Sequence, residues 1–85
     1  MGALMDVLYF AWVRERIGVP RETIESSAKT VSDLILELTQ KDERYAQAFS
    51  DLSAVRVALD QELSSYDAPL DGVREVAFFP PMTGG

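Results

Sequence analysis

The residues of this chain whose types and spacing suggest chemistry are the last ones, EVAFFPPMTGG, residues 75–85. A β-rich segment runs into Pro80 and Pro81, which cannot donate to a strand ladder and hold the exit extended. Residues 80–85 can span about 20 Å at roughly 3.3 Å per residue. Gly84 and Gly85 carry no side chains, so a narrow channel could admit them together with the carboxylate behind them. That carboxylate is a poor electrophile, because it is ionised at neutral pH with a reference pKa of about 3.5. It becomes reactive only when one oxygen is turned into a leaving group, as acyl-adenylate formation with ATP does. A nucleophile then meets a carbonyl with no Cβ on the adjacent carbon to crowd it. The pattern fits a chain end that one enzyme loads and another empties.

The rest of the composition supplies little chemistry. With no Cys and no His, the chain has no thiol nucleophile, disulfide, imidazole base or usual zinc ligand set. Carboxylate pairs are possible, but no spacing singles one out. Any catalytic groups that act on the terminus are therefore expected on another protein. The formal charge of −6, from 8 basic and 14 acidic residues, argues against nucleic acid; it suits a partner with a basic groove, and acidity is also the commonest way to stay soluble. No apolar run approaches the roughly 20 residues of a membrane span, and the start lacks a signal-peptide layout, so the protein reads as cytoplasmic with no membrane partner. The 85 residues suffice for one domain.

That domain must aim the tail. Residues 4–10, LMDVLYF, read as a strand, followed by a helical turn or loop that ends at Gly18. A short second strand lies within 19–26, centred on Thr23, Ile24 and Glu25. Residues 30–41 form the clearest helix, with Thr30 as N-cap, Asp33 resembling the capping-box acid, and Val31, Leu34, Ile35 and Leu38 on one face. A shorter helical segment within 42–52 places Tyr45, Ala48, Phe49 and Leu52 on one side. Residues 54–59 alternate strictly, and Asp60-Gln61 can turn the chain into a hairpin strand over 62–66. Residues 67–74 are turn-rich, and 75–79 form the last strand. The predicted class is α+β, a mixed sheet with one main helix packed on one face, in an order that fits a β-grasp arrangement.

Strand parity sorts the two aromatic pairs, because neighbours point to opposite faces. Met5, Val7 and Tyr9 share one face of the first strand; Leu4, Asp6, Leu8 and Phe10 share the other. In the last strand Val76 and Phe78 oppose Glu75, Ala77 and Phe79. Asp6 and Glu75 mark the wetter side, which puts Phe10 and Phe79 on the face that carries charge. These aromatics are either covered by loops or the second helix, or form an apolar docking patch beside the tail. Leu63 is placed to join such a patch, and Arg14, four residues after Phe10, to sit at its rim or in solvent.

Residues 9–18, YFAWVRERIG, and 75–85, EVAFFPPMTGG, resemble the family of small sulfur-carrier subunits of molybdopterin synthase. The resemblance implies a ubiquitin-like β-grasp domain over residues 1–79 and a flexible Gly-Gly tail over 80–85. It implies that an E1-like enzyme uses ATP to adenylate Gly85, and that sulfur transfer makes a C-terminal thiocarboxylate. The tail would then enter the large synthase subunit, where sulfur from two carriers builds the dithiolene of molybdopterin. Catalysis would belong to that subunit, in an expected heterotetramer, so this chain is not expected to be an enzyme by itself or to hold a cofactor stably. Gly84 and Gly85 carry over as the tail, and Phe10, Arg14, Leu63 and Phe79 as partner-facing positions. The chain departs from the family at Asp60, where Asn is frequent, and at Val73, Arg74 and Glu75, where Gly-Asp-Glu is frequent. These changes bear on turn geometry. The alternatives are a sulfur carrier for thiazole, cysteine or 2-thiouridine synthesis, a ubiquitin-like modifier joined to target lysines, and a plain interaction module.

Overall fold

The computed structural model describes residues 2–81. Strand β1 (Ala3–Tyr9) buries Met5, Val7 and Tyr9, as its alternation predicts. Phe10 caps helix α1 (Ala11–Ile17), and Ala11 takes a positive φ of 53° to make the turn. Helix α1 ends at Gly18, whose φ of 98° lies in the left-handed region that glycine adopts without strain. The Gly18 N–H donates to the Arg14 carbonyl at 2.7 Å and closes the helix. Strand β2 (Arg21–Ser26) follows, within the expected 19–26 and with Pro20 at its entry.

Helix α2 (Val31–Lys41) is the main helix, and its apolar stripe of Val31, Leu34, Ile35 and Leu38 is buried. The Thr30 hydroxyl accepts from the Asp33 N–H at 3.2 Å, which satisfies one of the donors the first turn leaves open. Asp42 breaks the helix with extended backbone, and its carboxylate accepts from the Arg44 N–H to start α3 (Glu43–Ala48). A 3₁₀ turn over Leu52–Ala54 then leads to β3 (Arg56–Leu59). This corrects two expectations. Leu52 is not on the buried side of α3 but 37% exposed in the turn, and Ala54 belongs to the turn, not the strand. Beside α2 there are two shorter α-helices: α1, where the sequence allowed a helical turn or a loop, and α3.

Asp60 and Gln61 have φ values of 50° and 72°, the signature of a type I′ hairpin turn, into β4 (Glu62–Ser64). The strand is shorter than expected because Tyr66 turns inward: its hydroxyl proton is shared between the carbonyls of Leu52 and Val55 and ties the loop to the 3₁₀ turn. Strand β5 (Glu75–Phe79) completes a five-stranded sheet of order β2-β1-β5-β3-β4. The central β1–β5 pair is parallel and the other pairs are antiparallel, so the sheet is mixed.

The three helices share one core with one face of the sheet: Val7, Tyr9, Val57, Val76 and Phe78 from the strands meet Val13, Ile17, Leu34, Leu38 and Tyr45 from the helices. Phe78 stacks on Tyr9, with centroids 6.2 Å apart, and meets Phe49 edge-on at 4.8 Å. At the rim of this core the Glu22 carboxylate accepts from the hydroxyls of Tyr9 at 2.8 Å and Tyr45 at 2.5 Å. Lys41 Nζ lies 3.7 Å from its other oxygen. One carboxylate thereby joins β2 to β1, α2 and α3. Among the described residues no buried side-chain polar atom lacks a partner.

Candidate functional site

The face of the sheet turned away from the helices is built by strand register. In one row, Leu8 of β1 lies beside Ala77 of β5, Ala77 beside Ala58 of β3, and Ala58 beside Leu63 of β4. Four neighbouring strands thus contribute an unbroken apolar row. Leu8 and Ala58 are half-buried, Ala77 is enclosed between them, and Leu63 at the edge is 72% exposed. The next row toward the chain exit pairs Phe79 with Arg56. Phe79 is half-buried and Arg56 exposed. Pro80 and Pro81 follow at once, so the chain leaves the sheet from this row.

Phe10 is 45% exposed, just past the end of β1. Its N–H donates to the Phe78 carbonyl at 3.1 Å and so keeps it tied to β5 one residue before Phe79. Arg14 lies one turn along α1, exposed, while Val13 and Ile17 of the same helix are buried. Leu63 and Phe79 therefore share the helix-free face, Phe10 adjoins its exit end, and Arg14 stands on α1 rather than on the sheet. Gly84 and Gly85 lie outside the described residues.

Leu8, Ala58 and Ala77 complete the row, yet the sequence does not single them out. Alternation assigns each a face of its own strand, but only register shows that the three strands are neighbours with those faces aligned. The other end of the face is acidic. Asp6 and Glu75 are side by side in β1 and β5. Asp6 is held by Arg21 at 2.9 Å and by the Thr23 hydroxyl at 2.6 Å. Asp60 Oδ1 accepts from the backbone N–H groups of both Arg74 and Glu75 at 3.0 Å, which fixes the start of β5.

Such a face is built to bind a partner surface. Among the described residues no group of three or more acidic, His or Cys side chains could hold a metal ion, and no helix is long and apolar enough to cross a membrane. A cleft of about 440 Å³, lined by Met5, Ser26, Lys29, Leu70 and Asp71 among others, opens toward the start of β1, away from the exit row.

Residues 7–85 match the ThiS family. Over 82 residues the chain is 39% identical to the molybdopterin synthase sulfur carrier subunit of Escherichia coli, covering 96% of this chain and all of that one. It is 35% identical, with the same coverage, to the sulfur carrier subunit of that name from Haemophilus influenzae. Among solved structures it is similar to SAMP1 from Haloferax volcanii, with a TM-score of 0.72 at 20% identity over 98% of this chain and 100% of that one. It is also similar to a chain in the complex of subunits 1 and 2 of molybdopterin-converting factor from Helicobacter pylori, with a TM-score of 0.59 at 24% identity over 98% and 100%. At those identities the two structures establish the fold, an α+β ubiquitin-like β-grasp.

Proposed function

Taking as premise that this chain belongs to the ThiS family, we propose that it is the sulfur carrier subunit of a molybdopterin synthase. The observation that carries this reading is the position of the exit. The apolar row of Leu8, Ala77, Ala58 and Leu63 borders the row of Phe79, where Pro80 and Pro81 lead out of the sheet. A partner that covers this face holds the domain with its terminus directed into the partner. Leu63, Phe79 and Phe10 supply apolar contact, and Arg14 a charge at the rim.

The chemistry then proceeds at Gly85. Its carboxylate attacks the α-phosphorus of ATP on an E1-like enzyme, and pyrophosphate leaves. A donor persulfide displaces AMP from the acyl-adenylate to give an acyl disulfide, and a thiol then attacks the donor's sulfur, which breaks the S–S bond and leaves the thiocarboxylate and a donor disulfide. On the large synthase subunit that sulfur passes to the pterin precursor, two carriers supplying the two dithiolene sulfurs. The chain contributes no catalytic side chain. Its folded body, residues 1–79, presents the tail of residues 80–85 to two enzymes in turn. The shared name of the curated relatives supports the molybdopterin pathway over the other sulfur pathways.

Intact-mass spectrometry tests the reading. After incubation with the activating enzyme, ATP and a sulfur donor, the chain should gain the mass of one sulfur in place of one oxygen. The chain lacking Gly85 should gain none while remaining folded. An unchanged mass for the full chain would refute the carrier function.

A further inference from the structure

The charges at the two ends of the helix-free face are met differently. Asp6, Glu75 and Asp60 gather at the end where β5 begins, with Arg21 ion-paired to Asp6, whereas Arg56 stands at the exit end beside Phe79. Arg56 lies on the same side of β3 as Ala58, one step along the strand from the apolar row. Among the described residues the ion pairs involve Arg21, Lys41 and Arg44, and none satisfies Arg56. A partner that covers Phe79 and Ala58 must also cover or closely flank this guanidinium. Removing it from water without an anion is strongly unfavourable, so the covering surface has to supply one. A carboxylate matches the planar fork in a bidentate manner.

We infer that Arg56 is a specificity-determining residue of the docking face, and that it meets a carboxylate on the large synthase subunit beside the opening that receives the tail. The inference rests on the sulfur-carrier reading and adds to it the chemistry of the partner surface. The chain as a whole, at −6, draws a basic partner. A single acidic group on that partner, placed to meet Arg56, then allows one orientation. The reversed orientation would set that acid against Glu75, which is in no ion pair among the described residues, and like charges brought together at an interface are strongly disfavoured.

The test is binding to the large synthase subunit, measured across a range of salt concentrations for wild type, Arg56→Leu, Arg56→Lys and Arg56→Glu. Arg56 is exposed, so all four proteins should melt alike. Arg56→Glu should weaken binding by about tenfold or more at low salt, since it sets like charges together. Arg56→Leu should bind less tightly than wild type and with a shallower salt dependence, and Arg56→Lys should fall between them. A salt slope that Arg56→Leu leaves unchanged, or Arg56→Glu binding as wild type does, would overturn the inference and leave the carrier reading standing. Wild type that fails to bind the large subunit at all would remove the carrier reading, and this inference with it.

Discussion

Phe78 and Phe79 are neighbours in β5 with opposite surroundings. Phe78 has no exposed surface and packs against Tyr9 and Phe49, whereas Phe79 is half-buried on the helix-free face, paired across the strands with Arg56. Adjacent residues of one type thereby separate stability from binding. Phe78→Ala should cost about 3–5 kcal/mol of stability, because it empties a closed aromatic cluster. Phe79→Ala should cost about 1 kcal/mol or less and instead weaken capture by the large subunit. Urea unfolding and a binding titration on the same two proteins decide the matter.

Glu22 is the acceptor for two phenols, Tyr9 and Tyr45. Glu22→Leu should therefore destabilise the domain by about 1–3 kcal/mol, the cost of leaving buried hydroxyls unpaired. In a Tyr45→Phe background the same substitution should cost less, because one orphan hydroxyl is already gone. Additive losses in the double variant would show that the three groups do not act together.

The hairpin turn carries two distinct requirements. Asp60→Ala removes the acceptor of the Arg74 and Glu75 N–H groups and should cost about 1–3 kcal/mol, while Asp60→Asn keeps an oxygen there and should cost less. Gln61 holds a φ of 72° with a side chain attached. Gln61→Gly relieves that conformation and should raise stability by up to about 1 kcal/mol, read as a higher urea midpoint.

Burial, and then the hydrogen bond to Glu22, push the Tyr45 hydroxyl up to about 12; the same two causes push Tyr9 in the same direction. In the unfolded chain both titrate near pH 10, at roughly the reference value. The folded form thus keeps protons that the unfolded form releases. This contribution to stability is complete below about pH 10 and falls as pH rises from there toward 12 and beyond. Urea midpoints should hold steady up to about pH 9, decline above pH 10, and decline less steeply in Tyr45→Phe. Phenolate absorbance that appears near pH 10 without unfolding would contradict this.

The strands and the longest helix were legible because their patterns are local. Alternation in β1 and β5 predicted which of Tyr9, Phe10, Phe78 and Phe79 would be enclosed, and Thr30 and Asp33 marked the start of α2. The rest depended on relations between distant residues. The shortened β4 follows from Tyr66 reaching back to Leu52 and Val55. Leu52 left the helical stripe because Asp51 caps a separate turn. The positive φ of Ala11 has no signal in a residue that normally favours helix. The apolar row needed the order β1-β5-β3-β4, which no single segment encodes. The departure at Asp60 has a structural reading, since its carboxylate performs the turn's anchoring through two accepted hydrogen bonds.

The position of β5 between β1 and β3 bears on how the domain is born. Residues 75–79 emerge from the ribosome after every strand they join, yet they form the middle of the sheet. A nascent chain lacking them has its first strand and its β3–β4 hairpin with nothing to bridge them, and it should remain open to proteases. The sheet can close only once β5 is present, so that a well-folded body vouches for a chain translated through its final strand.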